Sequence, residues 1–336
     1  MLVPKAALIL GDYLFEEQIV ALSLRRTQAP ALDRLEVVLP ASQSLAAGVG
    51  DTCNLTLDSG DVGALDGGDA EVFAGVITAI SRRGSVSVVQ AHNGGRALAQ
   101  YRPVGAFEQI GLDEVLTTLC SDVGVDVVVD LDAPILALYA VNGRASALQE
   151  VARLAALAGG SAAFDGAGLL HVTSAGGPDS EVALRYGREL LHIDVADGAA
   201  PADGLTVVGE GAGAPGAPEA RWLTTDFLQG SGSDPGPDAR RRAIPELRDQ
   251  GDTDAAALAL QQARSAAAQP VRIKTWLMPA LAPGMRIEVA DLPDHVALTD
   301  CRVTQVVSTL HAGGTASSAV WARAQPADGG VPGGLL

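Results

Sequence analysis

The chain has 336 residues and a net charge of −17, from 23 basic and 40 acidic side chains, and 48% of its residues are hydrophobic. That length accommodates two or three folding units with cores of their own, and so acidic a balance excludes a general phosphate-gripping surface outside a local basic patch. The 39 glycines and 18 prolines sit in short interruptions, which favour many short strands over long helices.

Apolar Met1–Leu10 is followed at once by Gly11-Asp12 and Glu16-Glu17. It lacks the basic start and small-residue cleavage site of a signal peptide, so none is expected. No apolar run reaches the 18 residues of a membrane span, and no membrane insertion is expected. Strands are predicted where apolar and polar residues alternate: Gln18–Arg26, Arg34–Leu39, Asp51–Leu57, Val72–Ile80 and Val86–Gln90, the last two joined at Arg82-Arg83-Gly84-Ser85. Residues 1–103 therefore read as an all-β unit, a sandwich or a closed barrel.

Across residues 104–184 the period changes to α+β. Leu112, Val115, Leu116 and Leu119 repeat at helical spacing, and a second helix begins at the capping-box pattern Ser146-Ala-Leu-Gln149 and stops at Gly159-Gly160. Strands are expected at Val125–Val129 and Leu136–Val141, with a hairpin of Ala162–Phe164 and Leu169–Val172 turning at Asp165-Gly166. From 185 to 327 the strand pattern returns at Leu191–Val195, Leu205–Val208, Val271–Leu277, Met285–Val289, Cys301–Leu310 and Ala316–Arg323. Within it, 209–245 reads as a flexible Gly/Ala/Pro-rich loop region, and 252–268 as a helix capped by Asp252 or Thr253. Residues 328–336 read as a frayed tail.

The outer segments share an order. Gly48-Val-Gly50-Asp51 leads into the strand Cys53–Leu57, as Pro283-Gly284-Met285-Arg286 leads into Ile287–Val289. Each is followed by a strand pair turning on glycine, Gly84 in the first and Gly313-Gly314 in the second. A chance match between β-rich segments is the alternative to two related units around an α+β insert.

No catalytic set emerges. Gly209-Glu-Gly211-Ala-Gly213-Ala214 spells a dinucleotide fingerprint, but Pro215 and Pro218 fall where its helix must grow. No Gly-x-Ser-x-Gly elbow exists. His92, His171, His192, His295 and His311 are scattered, and Cys53, Cys120 and Cys301 form no CxxC and read as reduced, buried thiols of a cytosolic product. Acidic pairs such as Asp58 with Asp61, Asp66 with Asp69 and Glu71, Asp130 with Asp132, and Asp252 with Asp254 fit solvated turns, in a chain so rich in acids, better than a glycosidase centre. Arg240-Arg241-Arg242 reads as a solvated face or a dock for an acidic partner patch, and Trp222, Trp276 and Trp321 as core or subunit contacts. No catalytic, cofactor-binding or metal-binding residues are assigned, and no cofactor is expected.

The order of several motifs carries a resemblance. They are Asp33–Leu39, Gly50-Asp51, Val72–Ile80, Ala97–Arg102, Leu112–Gly124, Gly143–Leu148, Leu154-Ala155 to Phe164-Asp165, Gly168 with Leu170, Leu184–Leu190, Leu281–Met285 and Val303–Val306. Together they are similar to the late control protein D family of contractile phages, which are baseplate hub proteins similar to the hub half of type VI secretion spike proteins. The resemblance spans roughly residues 15–325, with Gly284-Met285 replacing the more usual Gly-Asp. It implies two tail-tube-like β-barrels with an α+β insert, and a homotrimer whose six barrels adapt a sixfold tail tube to a threefold spike. The implied protein is non-enzymatic and assembles into a virion tail baseplate or injection-system particle. Its implied partners are tube, spike and other baseplate proteins; on charge grounds, many acids of the barrel segments are expected to line a channel that passes DNA or cargo without specific binding. A tail-tip carbohydrate- or receptor-binding β protein and a β-scaffold hydrolase are the alternative readings.

Overall fold

In the computed structural model the alternating segments are strands, and the chain is a β-rich α+β protein. Residues 4–41, 45–60, 70–174, 181–196, 204–212, 224–232, 239–293 and 298–324 are described. The N-terminal part contains β1 (Lys5–Leu10), β2 (Tyr13–Phe15), β3 (Ala21–Thr27), β4 (Arg34–Pro40), β5 (Thr52–Asp58), β6 (Ala70–Arg83) and β7 (Val86–His92). In β4 every second residue, Leu35, Val37 and Leu39, is buried, as a period of two requires of a half-buried sheet. The middle part follows with α1 (Gly95–Gln100), β8 (Val104–Gly111), α2 (Leu112–Ser121), β9 (Val127–Asp130), β10 (Ile135–Asn142), α3 (Ala147–Leu157), β11 (Gly160–Phe164) and β12 (Leu170–Ser174). The rest is β13 (Glu181–Arg185), β14 (Leu190–Val195), β15 (Leu205–Ala212), β16 (Thr224–Ser231), β17 (Arg240–Ala243), α4 (Gln250–Ala267), β18 (Pro270–Trp276), β19 (Arg286–Ala290), β20 (Leu298–His311) and β21 (Ala316–Ala324).

The outer parts repeat one topology. In the first the strands lie side by side as β3-β4-β7-β6-β5-β1, in the second as β14-β18-β21-β20-β19-β13. In chain order the two sets correspond strand for strand. One pairing direction differs: β1 runs antiparallel to β5, whereas β13 runs parallel to β19. The loop match seen in sequence is also a geometric one. Gly50 and Gly284 take φ of 100° and 93°, values that glycine adopts without a side-chain clash. The amide of Gly50 donates to Ile77 O and that of Gly284 to Val303 O, at 2.9 and 2.8 Å. Each long strand then slips register at the next residue, between Ile77 and Ala79 in β6 and between Val303 and Gln305 in β20. The hydroxyl at each slip donates to the facing strand, Thr78 to Gln90 O at 3.2 Å and Thr304 to Trp321 O at 3.1 Å. One bulge, closed by one kind of hydrogen bond, occurs twice.

Among the described residues there are three buried clusters. Leu8, Leu35, Leu55, Phe73 and Val89 belong to the first module, and Leu184, Ile273, Ile287, Val303 and Val320 to the second. The third is the α+β core built on α2 and α3, whose cap has both hydrogen bonds expected of Ser146 and Gln149. It also takes Leu205, Val207, Ile244, Leu247, Ala256, Ala257 and Leu260. The described residues of 204–267 thus add to the insert's core, and α4 also borders the second β unit at β21.

Two expectations need correction. Region 209–245 is not simply a flexible loop: β16, β15 and β17 form a three-stranded sheet there, antiparallel on one side and parallel on the other. Its glycines allow close packing on α4: a Cβ on Gly230 or Gly232 would collide with the backbone of Thr253 or Ala257. The helix also starts earlier than read, with Asp249 as its cap. The Asp249 Oδ1 accepts from the amides of Gly251 and Asp252 at 2.7 and 3.4 Å, which leaves Asp252 and Thr253 inside the first turn. The tail at 328–336 lies outside the described residues.

Candidate assembly surface

The residues with chemistry to offer are mostly engaged in structure. Cys53, Cys120 and Cys301 are free thiols at 0% exposure, and burial pushes each thiol up to about 12, suppressing the reactive thiolate. His92 accepts or donates at 2.9 Å to the Thr78 hydroxyl, and burial, with Arg96 and Arg34 nearby, lowers its pKa. His171 pairs with Asp165 at 2.9 Å across the β11–β12 hairpin. Asp58 folds its own turn by accepting the Gly60 amide at 2.8 Å. Among the described residues no three His, Cys, Asp or Glu side chains gather as metal ligands. Asp61, Asp66, Asp69, Trp222 and His295 lie outside them. Gly209–Ala212 continues strand β15, so the fingerprint does not open a helix there. Arg240, Arg241 and Arg242 are exposed on the edge strand β17. Trp276 is 41% exposed, its Nε1 donating to Arg188 O at 3.2 Å.

The most densely connected polar geometry lies instead where the modules meet. Strand β3 closes the first module on one side and on the other pairs with β20, antiparallel from Gln305 opposite Thr27 to His311 opposite Ala21. The two modules thus share one 13-stranded open sheet. Buried Arg26 fixes the seam: its guanidinium, 4% exposed, donates to the carbonyls of Pro279, at 2.9 Å, and Leu281 in the loop before β19. Burial lowers its pKa to about 10, partly offset by the carboxylate of Asp33. Asp33 accepts from the Thr27 amide at 2.6 Å and from Asn93 Nδ2 at 2.8 Å. Burial nevertheless raises its pKa to about 7 against the Thr27 amide and the Arg26 charge.

The insert enters the same seam. The Gln28 side chain donates to Ser161 Oγ at 3.2 Å and Val303 O at 3.4 Å, so one residue touches the first module, the second module and the β11 strand of the insert. The amide of Ala29 donates to Ala162 O at 2.8 Å. At the far end of the hairpin, Gly166 lies against β6 so closely that a Cβ would collide with the Glu71 carbonyl. Sequence reasoning missed this polar seam. Its one trace in the sequence is Arg26, a charge in the register that Leu22 and Leu24 make the buried one, and its partners lie more than 250 residues away.

No protein-family model matches the chain, and no curated protein matches it. Solved structures do. The chain superposes on the 43 kDa tail protein of prophage MuSo2 from Shewanella oneidensis with a TM-score of 0.68 and 13% identity, covering 95% of this chain and 98% of that one. It has the fold of a phage tail protein. A tail protein from Neisseria meningitidis MC58 gives a TM-score of 0.69 at 12% identity over 96% of both chains. The E. coli c3393 protein, described as a type VI secretion component similar to the T4 tail proteins gp27 and gp5, gives 0.56 at 11% identity. That match covers 93% of this chain and 74% of that one. Phage tail and type VI proteins thus share the tail-protein fold described above.

Proposed function

We propose that this chain is a baseplate hub protein of the late control protein D kind, without enzymatic activity. In this reading three copies form a ring, and their six β modules make the wall of a tube that matches a sixfold tail tube on one side and a threefold spike on the other. The single observation carrying it is the duplicated topology within one chain: two strand-for-strand equivalent halves of one sheet, each with the same glycine turn and the same Thr-closed bulge. A chain of two like modules is what lets a threefold assembly present six similar surfaces. The similarity to tail proteins and to a type VI component supports the reading.

In this reading the open sheets become tube-like barrel walls on assembly, and the α+β body, extended by β15–β17 and α4, decorates them. The net charge of −17 suits a bore that passes nucleic acid or protein without holding it. The protein then resides in a virion tail or injection particle, bound to tube, spike and baseplate neighbours. Native mass spectrometry with negative-stain imaging tests this, alone and with tube and spike proteins. A ring of three times the 34.1 kDa chain is expected. A particle that stays monomeric with both partners present refutes it.

A further inference from the structure

The chain contains one worked example of how its modules join, the β3–β20 seam, and leaves the same two half-seams open at its ends. By the matched turns and bulges, β20 residue Val303 corresponds to Ile77, so Thr309 corresponds to Arg83 and Ser308 to Arg82. By the matched pairings of β4 with β7 and β18 with β21, Ser23 of β3 corresponds to Asp194 of β14, and Leu24 to Val195. Within the chain β20 has a partner here and β6 has none: the last residues of β6 pair with β7 on one side alone among the described strands. Among the described strands β14 likewise pairs with β18 alone, apart from a single bridge from Leu190 to Tyr186, and ends the sheet.

Exposure points the same way. Leu24, inside the seam, is 1% exposed, while its counterpart Val195, equally apolar, is 40% exposed, and Leu191 at the other end of β14 is also 40% exposed. An apolar strand edge left open in this way is a pairing template. The charges also match: exposed Arg82 and Arg83 end β6, and exposed Asp194 lies on β14, none with an ion-pair partner within the described residues.

We infer that β14 of one copy adds antiparallel to the free edge of β6 in a second copy, with Asp194 opposite Arg83 and Val195 opposite Arg82. This copies the internal pairs Ser23–Thr309 and Leu24–Ser308. The contact is head-to-tail, so each copy gives one edge and receives another. The inference deepens the hub reading and rests on it, since the second copy is the next subunit of the ring.

Two experiments on the full chain test it. In the first, Asp194→Cys and Arg83→Cys are combined and oxidised. Facing positions of paired strands lie within disulfide reach, so covalent trimers are expected from the double variant and none from either single variant. A displaced pair, His192→Cys with Arg83→Cys, is expected to link at least about tenfold less, because two residues of strand separate the thiols by roughly 7 Å. In the second, Arg83→Glu or Asp194→Lys alone is expected to weaken association at least tenfold, and the two together to restore it. Rings of three that link only in the displaced register, or that show no charge rescue, overturn this pairing and leave the hub reading standing. Persistent monomers with tube and spike proteins present overturn both.

Discussion

Replacing Arg26 by methionine tests whether the internal seam is held by a polar staple. The substitution keeps most of the side-chain volume and removes both hydrogen bonds to Pro279 O and Leu281 O. A hydrogen bond from a charged donor contributes about 1.5–3 kcal/mol, and the deserted carbonyls are left buried. Against this, burying a guanidinium at 4% exposure is itself costly, and its Nε has no acceptor, so methionine recovers part of the loss. The net expectation is a destabilisation of about 2–4 kcal/mol, or roughly 5–15 °C in Tm at about 2–4 °C per kcal/mol. Urea unfolding followed by tryptophan fluorescence reads it, because Trp276 and Trp321 both lie in the second module. An unchanged midpoint, or a gain in stability, would refute the staple: the two carbonyls would then owe nothing to the charge.

Other outcomes follow from the same geometry. Asp33 has its folded pKa raised to about 7 from 3.8, so the native state holds its proton more tightly than the unfolded chain does. This contribution is full below about pH 4 and is lost as pH rises through 7, on the order of 4 kcal/mol at most. Asp33→Asn, scanned by thermal melts from pH 5 to 8, should flatten that slope. Gly166→Val should loosen the insert from β6 and raise proteolysis in the hairpin, since its side chain would need the space of the Glu71 carbonyl. Thr304→Val, which removes one bulge hydrogen bond, should cost about 1 kcal/mol in urea titrations, and Thr78→Val, which also removes the His92 contact, should cost more. Cys53, Cys120 and Cys301 should resist thiol reagents in the folded protein and react together on unfolding.

The strands of both modules were legible wherever a sheet has one buried face, because alternation at Arg34–Leu39 or Cys53–Leu57 directly reports that face. The helices α2 and α3 were equally plain from Leu112, Val115, Leu116 and Leu119 and from the Ser146 box. Strands β1 and β8 escaped for opposite reasons. Lys5–Leu10 is too uniformly apolar to show a period, and Val104–Gly111 too exposed to need one. Strand β16 was hidden because its Gly230 and its neighbour Gly232 read as loop residues, although they are small because α4 presses on them. The seam at Arg26 left only that one charge out of register: a buried arginine announces itself fully only when its distant acceptors are known.

One asymmetry between the two modules has a practical side. The link from β3 to β4 spans six residues, Gln28–Asp33, whereas the corresponding link from β14 to β18 accommodates a small sheet and an 18-residue helix. Both links begin and end on adjacent strands, so material lodged in either leaves the ladder beside it undisturbed. The second module shows that this socket accepts a large graft. In the first module the corresponding link is held by Gln28, Ala29 and Asp33 against the insert and the second module, so the second link is the place to append a reporter or a foreign domain.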